Sequence, residues 1–466
     1  MQKQVDLKLI VAIVAAGLLS FCGVIVETAM NITFPKLMRE FSINTATVQW
    51  MTTAYLLIVA SIVPISAYLK RRFRTKTLFV TANLLFMAGL IVDALATNFP
   101  LLVAGRIIQG CGTGIALPLM FNIILDLAPA DQKGTLMGIG TLITAIAPAL
   151  GPTFGGIIVS QLNWHWIFML LIPVLVISLL LGLYAIRQAQ PIVKTSFDVV
   201  GWLLVILLFV GFTIGFSRLA TITTQPMACV AWIIVGLIGL GGFVWRTQRA
   251  AQPLISLAIF KVRSYDFHLM AYFLVQICAL GLAFILPNYI QLVNGKSALL
   301  AGLFVLPGAA VGAVFAPLGG RILDRFGAAR PVLTGSAILV IAMALFTVLG
   351  MRLTGPLILA IYILLMIGIG LTMGNTMTSG LQQLSISQQA DGNAVFNTMQ
   401  QFAGAIGTSV VSAIITLVQA QASGTNAHRT ALGSTMALGL LFILVVIELG
   451  VMVMAMKRRR ATSYVD

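Results

Sequence analysis

The sequence predicts an all-α polytopic membrane protein of about fourteen helices. Of its 466 residues, 59% are hydrophobic and only 9% are charged, whereas a soluble protein of this size needs a charged surface. The few charges lie between apolar runs, several of them ~18 residues or longer, which is enough to span a bilayer. We therefore expect a multi-pass protein of a cell (inner) membrane.

The predicted spans are separated by short loops. The longest inner loop, around 246–266, has about 20 residues, whereas an independent domain needs at least ~50. No soluble domain is expected. In chain order the predicted spans cover residues 9–34, 46–69, 77–96, 100–125, 134–161, 165–186, 198–217, 227–245, 267–290, 298–320, 331–350, 355–379, 394–418 and 432–456.

The net charge of +16 is explained by where the basic residues lie. With the N-terminus inside, 21 of the 28 lysines and arginines fall in inner segments, 6 fall in outer segments, and Arg106 lies within a span. The positive-inside rule therefore places both termini in the cytoplasm. We attribute the basic excess to topology and to lipid headgroups, and we expect no nucleic-acid partner.

Cysteine spacing and the lack of a phosphate loop argue against several chemistries. The four cysteines lie in or at the ends of spans, without the paired spacing of a zinc site or a disulfide framework. No Gly-x-x-x-x-Gly-Lys-Ser/Thr phosphate loop occurs, so ATP is not the expected energy source. We expect no metal, no cofactor, no enzymatic activity and a monomeric chain. The cysteines are Cys22, Cys111, Cys229 and Cys278.

A weak internal repeat relates two loops of the chain. The segment AYLKRRFRTK (67–76) resembles GRILDRFGAA (320–329), and each follows a span. Such repeats are typical of transporters built from two related bundles with a binding site between them. With six helices per bundle, the seventh and eighth spans become an insertion. The aligned pairs are Phe73 with Phe326, Arg72 with Arg325 and Leu69 with Ile322, and the resulting divisions are 1–190, 191–250 and 251–466.

Four segments, in order and on the expected spans, resemble motifs of one transporter family. VETAMNITFP (26–35) is similar to a first-helix pattern, VAGRIIQGCGTG (103–114) to an arginine motif, ALGPTFGG (149–156) to an antiporter motif and GGRILDRFG (319–327) to a loop signature. The chain thus resembles, over nearly its whole length, the major facilitator superfamily and specifically its fourteen-helix branch of drug:proton antiporters. The resemblance implies the major facilitator fold, with two six-helix bundles plus two inserted helices.

The sequence also departs from the family pattern. Val26 stands where the first-helix pattern usually has Asp, and Glu27 follows one place later. In the first inner loop, Arg71 and Arg74 replace the usual Asp and Gly, whereas the second copy of the loop keeps both. We therefore expect the inner gate of the first bundle to be held differently from the family norm.

Ionisable residues within spans are candidates for proton coupling, because a charge in the bilayer usually faces a partner or a wet cavity. Glu27 lies eight residues before Pro35, ~12 Å below the outer end of its helix, and Arg106 lies ~9 Å below the same face. A carboxylate that is neutral when desolvated and ionised when exposed can carry a proton. Glu27 is the first candidate. The alternative is a structural ion pair between Glu27 and Arg106.

Two further acids are secondary candidates for coupling. Asp93 lies seven residues before Pro100, close enough to the outer surface to snorkel there. Glu448 lies nine residues before Lys457, ~13 Å deep by helical rise. The resemblance places the helix of Glu448 at the periphery of the cavity.

Two segments are candidates for gating. Glycine and proline in the antiporter motif permit a kink and a close approach of helices, and the resemblance implies that this seam controls opening between the halves. The alternative is ordinary small-residue packing. Charges in the second inner loop are expected to latch helices in the outward-facing state, or else only to set topology. The gating candidates are Gly151, Pro152, Gly155, Gly156, Asp324, Arg325 and Arg330.

Aromatic, methionine and amide side chains on spans that resemble the cavity-lining ones are candidates for substrate contact. Such a mixture suits planar lipophilic cations through stacking, cation–π and thioether contacts. Any one of them could instead pack between helices. The set is Phe21, Met30, Asn31, Phe34, Trp50, Tyr55, Gln109, Asn122, Asn288, Tyr289, Gln291, Met373, Asn375, Asn397, Gln401 and Phe402.

The sequence therefore favours a secondary transporter that exports hydrophobic or cationic drugs by proton antiport. Its expected partners are amphiphilic small molecules, protons and membrane lipids. An exporter of a lipid, bile acid, peptide or metabolite on the same fold is the alternative. A non-transporting sensor or scaffold is a second alternative, which the buried charges disfavour because a passive scaffold does not need them.

Overall fold

The structure, a computed structural model, describes residues 6–31, 33–43, 45–48, 50–193, 196–222, 225–250 and 253–462. Within these residues, fourteen helices are long and apolar enough to cross a membrane, and no strand is present. The all-α class and the number of spans are thus confirmed. That both termini lie on the cytoplasmic side stays a prediction.

The first six spans are connected by short loops. They are α1 Leu7–Met30, α2 Trp50–Arg72, α3 Thr75–Ala94, α4 Phe99–Leu127, α5 Lys133–Gln161 and α6 His165–Ala185. α1 contacts α4, α5 and α6, and α3 pairs with α4. Within α2, a 3-10 turn at Val63–Ile65 interrupts the helix, because Pro64 has no backbone N–H to donate.

The next two spans, α7 Val199–Phe216 and α8 Pro226–Arg249, pack closely on each other. A Cβ on Gly211 would meet the backbone of Gly236, so the contact depends on small residues, as is typical between membrane helices. Asp198 accepts a hydrogen bond from the backbone at the start of α7 and pairs with the guanidinium of an arginine on α8 at 3.0 Å.

The last six spans form the second half. They are α9 Arg263–Leu292, α10 Leu299–Phe326, α11 Ala329–Val348, α12 Gly355–Leu381, α13 Gln389–Gln421 and α14 Asn426–Lys457. The halves meet where α10 packs on α5 and where α13 contacts α2 and α4, and α7 touches both α2 and α13. The division of the chain at residues 190 and 250 into six, two and six helices stays a prediction.

The first span ends earlier than predicted. Its helix ends at Asn31, and a separate short helix, Phe34–Glu40, follows. Pro35 lies in the first turn of that short helix, where its missing N–H is tolerated, and it could not continue the preceding helix. Glu27 therefore lies four residues, ~6 Å, from the end of its helix. The predicted depth of ~12 Å is wrong.

Candidate functional site

The arginine motif lies on α4, where its glycines let neighbouring spans approach. A Cβ on Gly105 would overlap the carboxylate of Asp93 on α3, and a Cβ on Gly110 would lie 2.9 Å from Ile58 of α2. Small residues of this kind bring helix backbones close together in membranes. The motif therefore places Arg106 between α2 and α3.

Arg106, Gln109 and Asp93 form a buried polar network. Nη1 of Arg106 donates to Oε1 of Gln109 at 2.6 Å, and Nε2 of Gln109 donates to Oδ2 of Asp93 at 2.6 Å. All three side chains are fully buried. Among the described residues, Nε and Nη2 of Arg106 and Oδ1 of Asp93 have no hydrogen-bond partner. The network thus couples a fixed cation to a carboxylate through one amide and keeps further hydrogen-bonding capacity.

The expectation that Asp93 snorkels to the outer surface is wrong. Its side chain is 0% exposed and is held by Gln109. Snorkelling needs a long stem, and Asp has a single methylene. The space beside Gly105 and the nearby guanidinium of Arg106 give the carboxylate a polar neighbourhood inside the bundle instead.

Tyr55 of α2 joins this network to α1. The Arg106 guanidinium lies 4.1 Å from the centroid of the Tyr55 ring, a cation–π arrangement. The Tyr55 hydroxyl donates to the carbonyl of Gly23 at 2.9 Å and lies 3.0 Å from Oγ1 of Thr113. Residues of α1, α2, α3 and α4 therefore meet around one buried arginine.

Glu27 lies one helical turn after Gly23 on α1 and is partly buried. It lies within electrostatic reach of Arg106 and Tyr55. The ion pairs formed by the described residues do not include Glu27 with Arg106, so the structural ion pair considered as the alternative is not formed. Arg106 contacts Gln109 instead, which leaves the Glu27 carboxylate available to other groups.

The antiporter motif packs α5 against the turn of α1 that carries Glu27. A Cβ on Gly151 would overlap the side chain of Thr28, and a Cβ on Gly155 would lie 2.5 Å from the carbonyl oxygen of Ala29. A Cβ on Gly156 would meet nothing within 4 Å. The Pro152 side chain lies outside the described residues. These contacts are within the first half, so the role of the motif in opening the two halves stays a prediction.

Asp324, at the end of α10, binds the beginning of α5. Its carboxylate accepts hydrogen bonds from the backbone N–H of Gly134 at 2.8 Å, from that of Thr135 at 2.9 Å and from Oγ1 of Thr135 at 2.7 Å. The partial positive charge of a helix N-terminus favours such an anion. We call the end of the molecule that contains these contacts the inner end. Arg325 and Arg330 are exposed and lie over the ring of Phe326.

Amide side chains join α4 to α13 near the inner end. Nδ2 of Asn393 donates to Oδ1 of Asn122 at 2.9 Å and to the carbonyl of Pro118 at 3.0 Å, and Asn397 donates to Asn393. Asn122 and Asn397 were predicted from the sequence, whereas Asn393 and Asp391 were not. The predicted start of the span at residue 394 left both in a loop. A signal was available, because Asn393 and Asn397 are four residues apart and so share a helix face.

Glu448 is buried in the second half, away from the Arg106 network. Its Oε1 accepts a hydrogen bond from Oγ of Ser336 on α11 at 2.8 Å. The repeat alignment that pairs Phe73 with Phe326 pairs Ser336 with Asn83. Asn83 likewise joins the third and sixth spans of the first half.

The predicted substrate-contact residues do not converge on one cavity. Trp50 is 50% exposed, and a cavity of about 540 Å³ between α5 and α10 is lined by other residues, including Leu142 and Arg321. Asn31 and Phe34 have side chains outside the described residues. The buried members are Met30, Tyr55, Gln109, Asn122, Tyr289, Met373, Asn375 and Asn397, and the partly buried members are Phe21, Asn288, Gln291, Gln401 and Phe402.

These features define a multi-pass membrane protein with two helical halves that contact each other through α5 and α10 and through α13 with α2 and α4. The chain belongs to the Major Facilitator Superfamily, which matches residues 16–408. It is 35% identical over 418 residues to the lincomycin resistance protein LmrB of Listeria monocytogenes, covering 90% of this chain and 88% of that protein.

Two further comparisons agree with the family. The chain is 28% identical over 408 residues to the multidrug resistance protein B homolog of Mycobacterium tuberculosis, covering 86% of this chain and 75% of that protein. The human organic anion transporter MFSD10 (TETRAN) has a similar structure, with a TM-score of 0.66 at 14% identity over 94% of this chain and 99% of that one. At such low identity this likeness concerns the fold alone.

Proposed function

We propose that the protein is a secondary transporter that exports hydrophobic or cationic drugs in exchange for protons. The names of its relatives support a drug as cargo. The observation on which antiport depends is the buried network of Arg106, Gln109 and Asp93, with Glu27 near it on α1. Ionisable groups at such depth usually mark ion pathways or proton relays.

The proposed cycle makes a proton and a cationic drug compete for the same carboxylates. With the inner end open, a drug cation near Glu27 or Asp93 favours the ionised acid, and the proton leaves to the cytoplasm. With the inner end closed, the drug leaves to the outside and a proton takes its place. Arg106 stays charged throughout, because a guanidinium does not lose its proton in proteins. Arg106 thereby provides a counter-charge for each acid when it is ionised.

Proton-driven export of lincomycin and of a lipophilic cationic dye from everted membrane vesicles tests this proposal. Glu27→Gln and Asp93→Asn keep size and hydrogen bonding but cannot titrate, so each should abolish the response to an imposed pH gradient if its carboxylate carries the proton. Glu27→Asp should retain part of the response. Asp131→Asn is the matched control, since Asp131 is exposed in a loop.

The roles of Glu27 and Asp93 can be distinguished, because the two side chains have different contacts. Asp93→Asn leaves Gln109 hydrogen-bonded but removes the negative charge near Arg106, whereas Glu27→Gln leaves the network of Arg106, Gln109 and Asp93 intact. If both well-folded variants keep pH-driven export at the rate of the unmodified protein, this coupling site is rejected. If the unmodified protein exports no substrate against that substrate's concentration gradient, the antiport proposal itself is rejected.

A further inference from the structure

The two inner loops are related by the internal repeat but carry opposite charge at one position. The alignment that pairs Phe73 with Phe326 also pairs Arg71 with Asp324. Asp324 accepts three hydrogen bonds from the start of α5. Arg71 lies at the corresponding end of α2, so a guanidinium stands where the second half has a carboxylate.

α13, the helix that faces Arg71, has an acidic residue where α5, the helix that faces Asp324, has a neutral one. Nη1 of Arg71 donates to Oδ1 of Asp391 at 3.0 Å, and Asp391 is the third residue of α13. Thr135, which binds Asp324, is the third residue of α5. α5 and α13 are the fifth spans of the two predicted bundles. The basic residue at the end of α2 is therefore matched by an acidic residue in the first turn of α13.

Helix electrostatics explains why both positions differ together. A carboxylate is stabilised at a helix N-terminus by the macrodipole and by free N–H groups, whereas a cation there is disfavoured. An acid in the first turn reverses the local charge and makes the same helix end attractive to Arg71. Asp391 is 2% exposed, so its charge needs this partner, because an unpaired buried charge is strongly destabilising.

The pair also holds a third segment. Oδ2 of Asp391 accepts a hydrogen bond from the backbone N–H of Ser256 at 3.0 Å, and Nη2 of Arg71 donates to the carbonyl of Leu254 at 3.3 Å. Both backbone groups belong to the stretch between α8 and α9. The contact therefore joins α2, α13 and the connection that leads from the inserted spans.

We propose that Arg71 and Asp391 form a second latch of inverted charge, which together with the Asp324 latch holds the inner end closed and breaks whenever that end opens. The proposal rests on the proposed function only in assuming that the inner end opens. It explains how a chain that lacks the usual loop Asp in its first half keeps a closed gate. It also implies that the 254–256 backbone is released at the same step.

The latch is tested by the rate at which a maleimide modifies Ser66→Cys in purified protein in lipid nanodiscs, followed by peptide mass spectrometry. Ser66 is buried on α2 near the inner end. Arg71→Asp should raise this rate about five- to tenfold, in the range typical of coupling between conformations. The double change R71D/D391T, which copies Asp324 and Thr135, should restore the slow rate.

The controls separate latch, fold and transport. Lys76→Asp makes the same charge change at an exposed site on α3 and should leave the labelling rate unchanged. If Arg71→Asp does not fold, Arg71→Gln and Asp391→Asn give the milder break. The latch is overturned if folded Arg71 variants of the Ser66→Cys protein label no faster than the Ser66→Cys protein that keeps Arg71, or if R71D/D391T labels as fast as R71D. No drug or proton gradient enters this measurement, so it stands even if the proposed cargo or coupling is wrong.

Discussion

The network around Arg106 depends on the absence of a side chain at Gly105. A Cβ there would occupy the position of the Asp93 carboxylate. We expect Gly105→Ala to displace Asp93 from Gln109, to lower the free energy of unfolding by about 1–3 kcal/mol as overpacking does, and to abolish pH-driven export. Thermal unfolding in detergent and vesicle transport measure the two effects.

Gly156→Ala is the matched control for that change, because a Cβ at Gly156 meets nothing within 4 Å. It should leave both stability and transport unchanged. If Gly105→Ala behaves like Gly156→Ala in both assays, the close packing of α3 on α4 is not required for the network.

Glu448 offers a contrasting residue-level prediction. Its contact with Ser336 repeats, in the second half, the contact that Nδ2 of Asn83 makes with Oγ of Ser178 at 3.2 Å in the first. The contact joins the third and sixth spans in both halves, and in the first half it works with neutral groups. Glu448→Gln preserves the hydrogen bond, so we expect pH-driven export to persist. Loss of coupling in a folded Glu448→Gln protein would assign the proton to this acid instead.

At single residues, the sequence predicted which ionisable groups lie in the membrane but not how they pair. Glu27 and Arg106 were matched by depth along their helices, and depth does not specify rotation about a helix axis. The structure joins Arg106 to Gln109, three residues further along the same helix, and through it to Asp93. Gly105 indicates that rotation, because its close contact with α3 determines which neighbouring helix the arginine motif faces.

Among the elements, α7 makes contacts that its amino-acid composition does not predict. Phe209 and Phe212 of α7 lie against Phe402 of α13, with ring centroids 6.1 and 5.3 Å away. Trp202 of α7 donates from Nε1 to the carbonyl of Ser61 on α2 at 2.9 Å. α7 thus covers the seam between α2 and α13, where the two halves meet.

Phe402→Ala tests whether α7 stabilises that seam. Because Phe402 is only partly buried, we expect a loss of about 1–3 kcal/mol, less than the ~3–5 kcal/mol of a fully buried Phe. Thermal unfolding measures it. Leu203→Ala is the control, because Leu203 is on α7 but 55% exposed. Equal effects of the two changes would mean that the aromatic contact adds nothing to general packing.

The boundaries of elements were predicted less well than their number. Apolar length identifies a span because the hydrocarbon core has a fixed thickness. It does not identify where a helix continues beyond the apolar run, as α13 does by beginning at Gln389. The polar turn from Gln389 onward carries Asp391 and Asn393, so the error in the boundary hid contacts of the inner end.

For the whole molecule, the distribution of basic residues predicts the orientation in the membrane. A cysteine introduced at Ser423, in the loop between α13 and α14, should react with an impermeant maleimide added to intact cells. A cysteine at Ser463 should not; that residue lies outside those the structure describes. Strong outside labelling at position 463 would mean that a span has been miscounted.

From the contacts at the inner end, we predict that α4 and α13 separate during each transport cycle. Asn122 of α4 and Asn393 of α13 are in hydrogen-bond contact at 2.9 Å, so cysteines at both positions can be joined by a short bifunctional thiol reagent. The link should hold the two halves in the closed arrangement and abolish export. Export should return when a reductant cleaves the bridge. Each single cysteine variant, treated with the same reagent, is the control. Export at an unchanged rate in fully linked protein would show that α4 and α13 stay together throughout transport, and the cargo would then need a path that does not open the inner end.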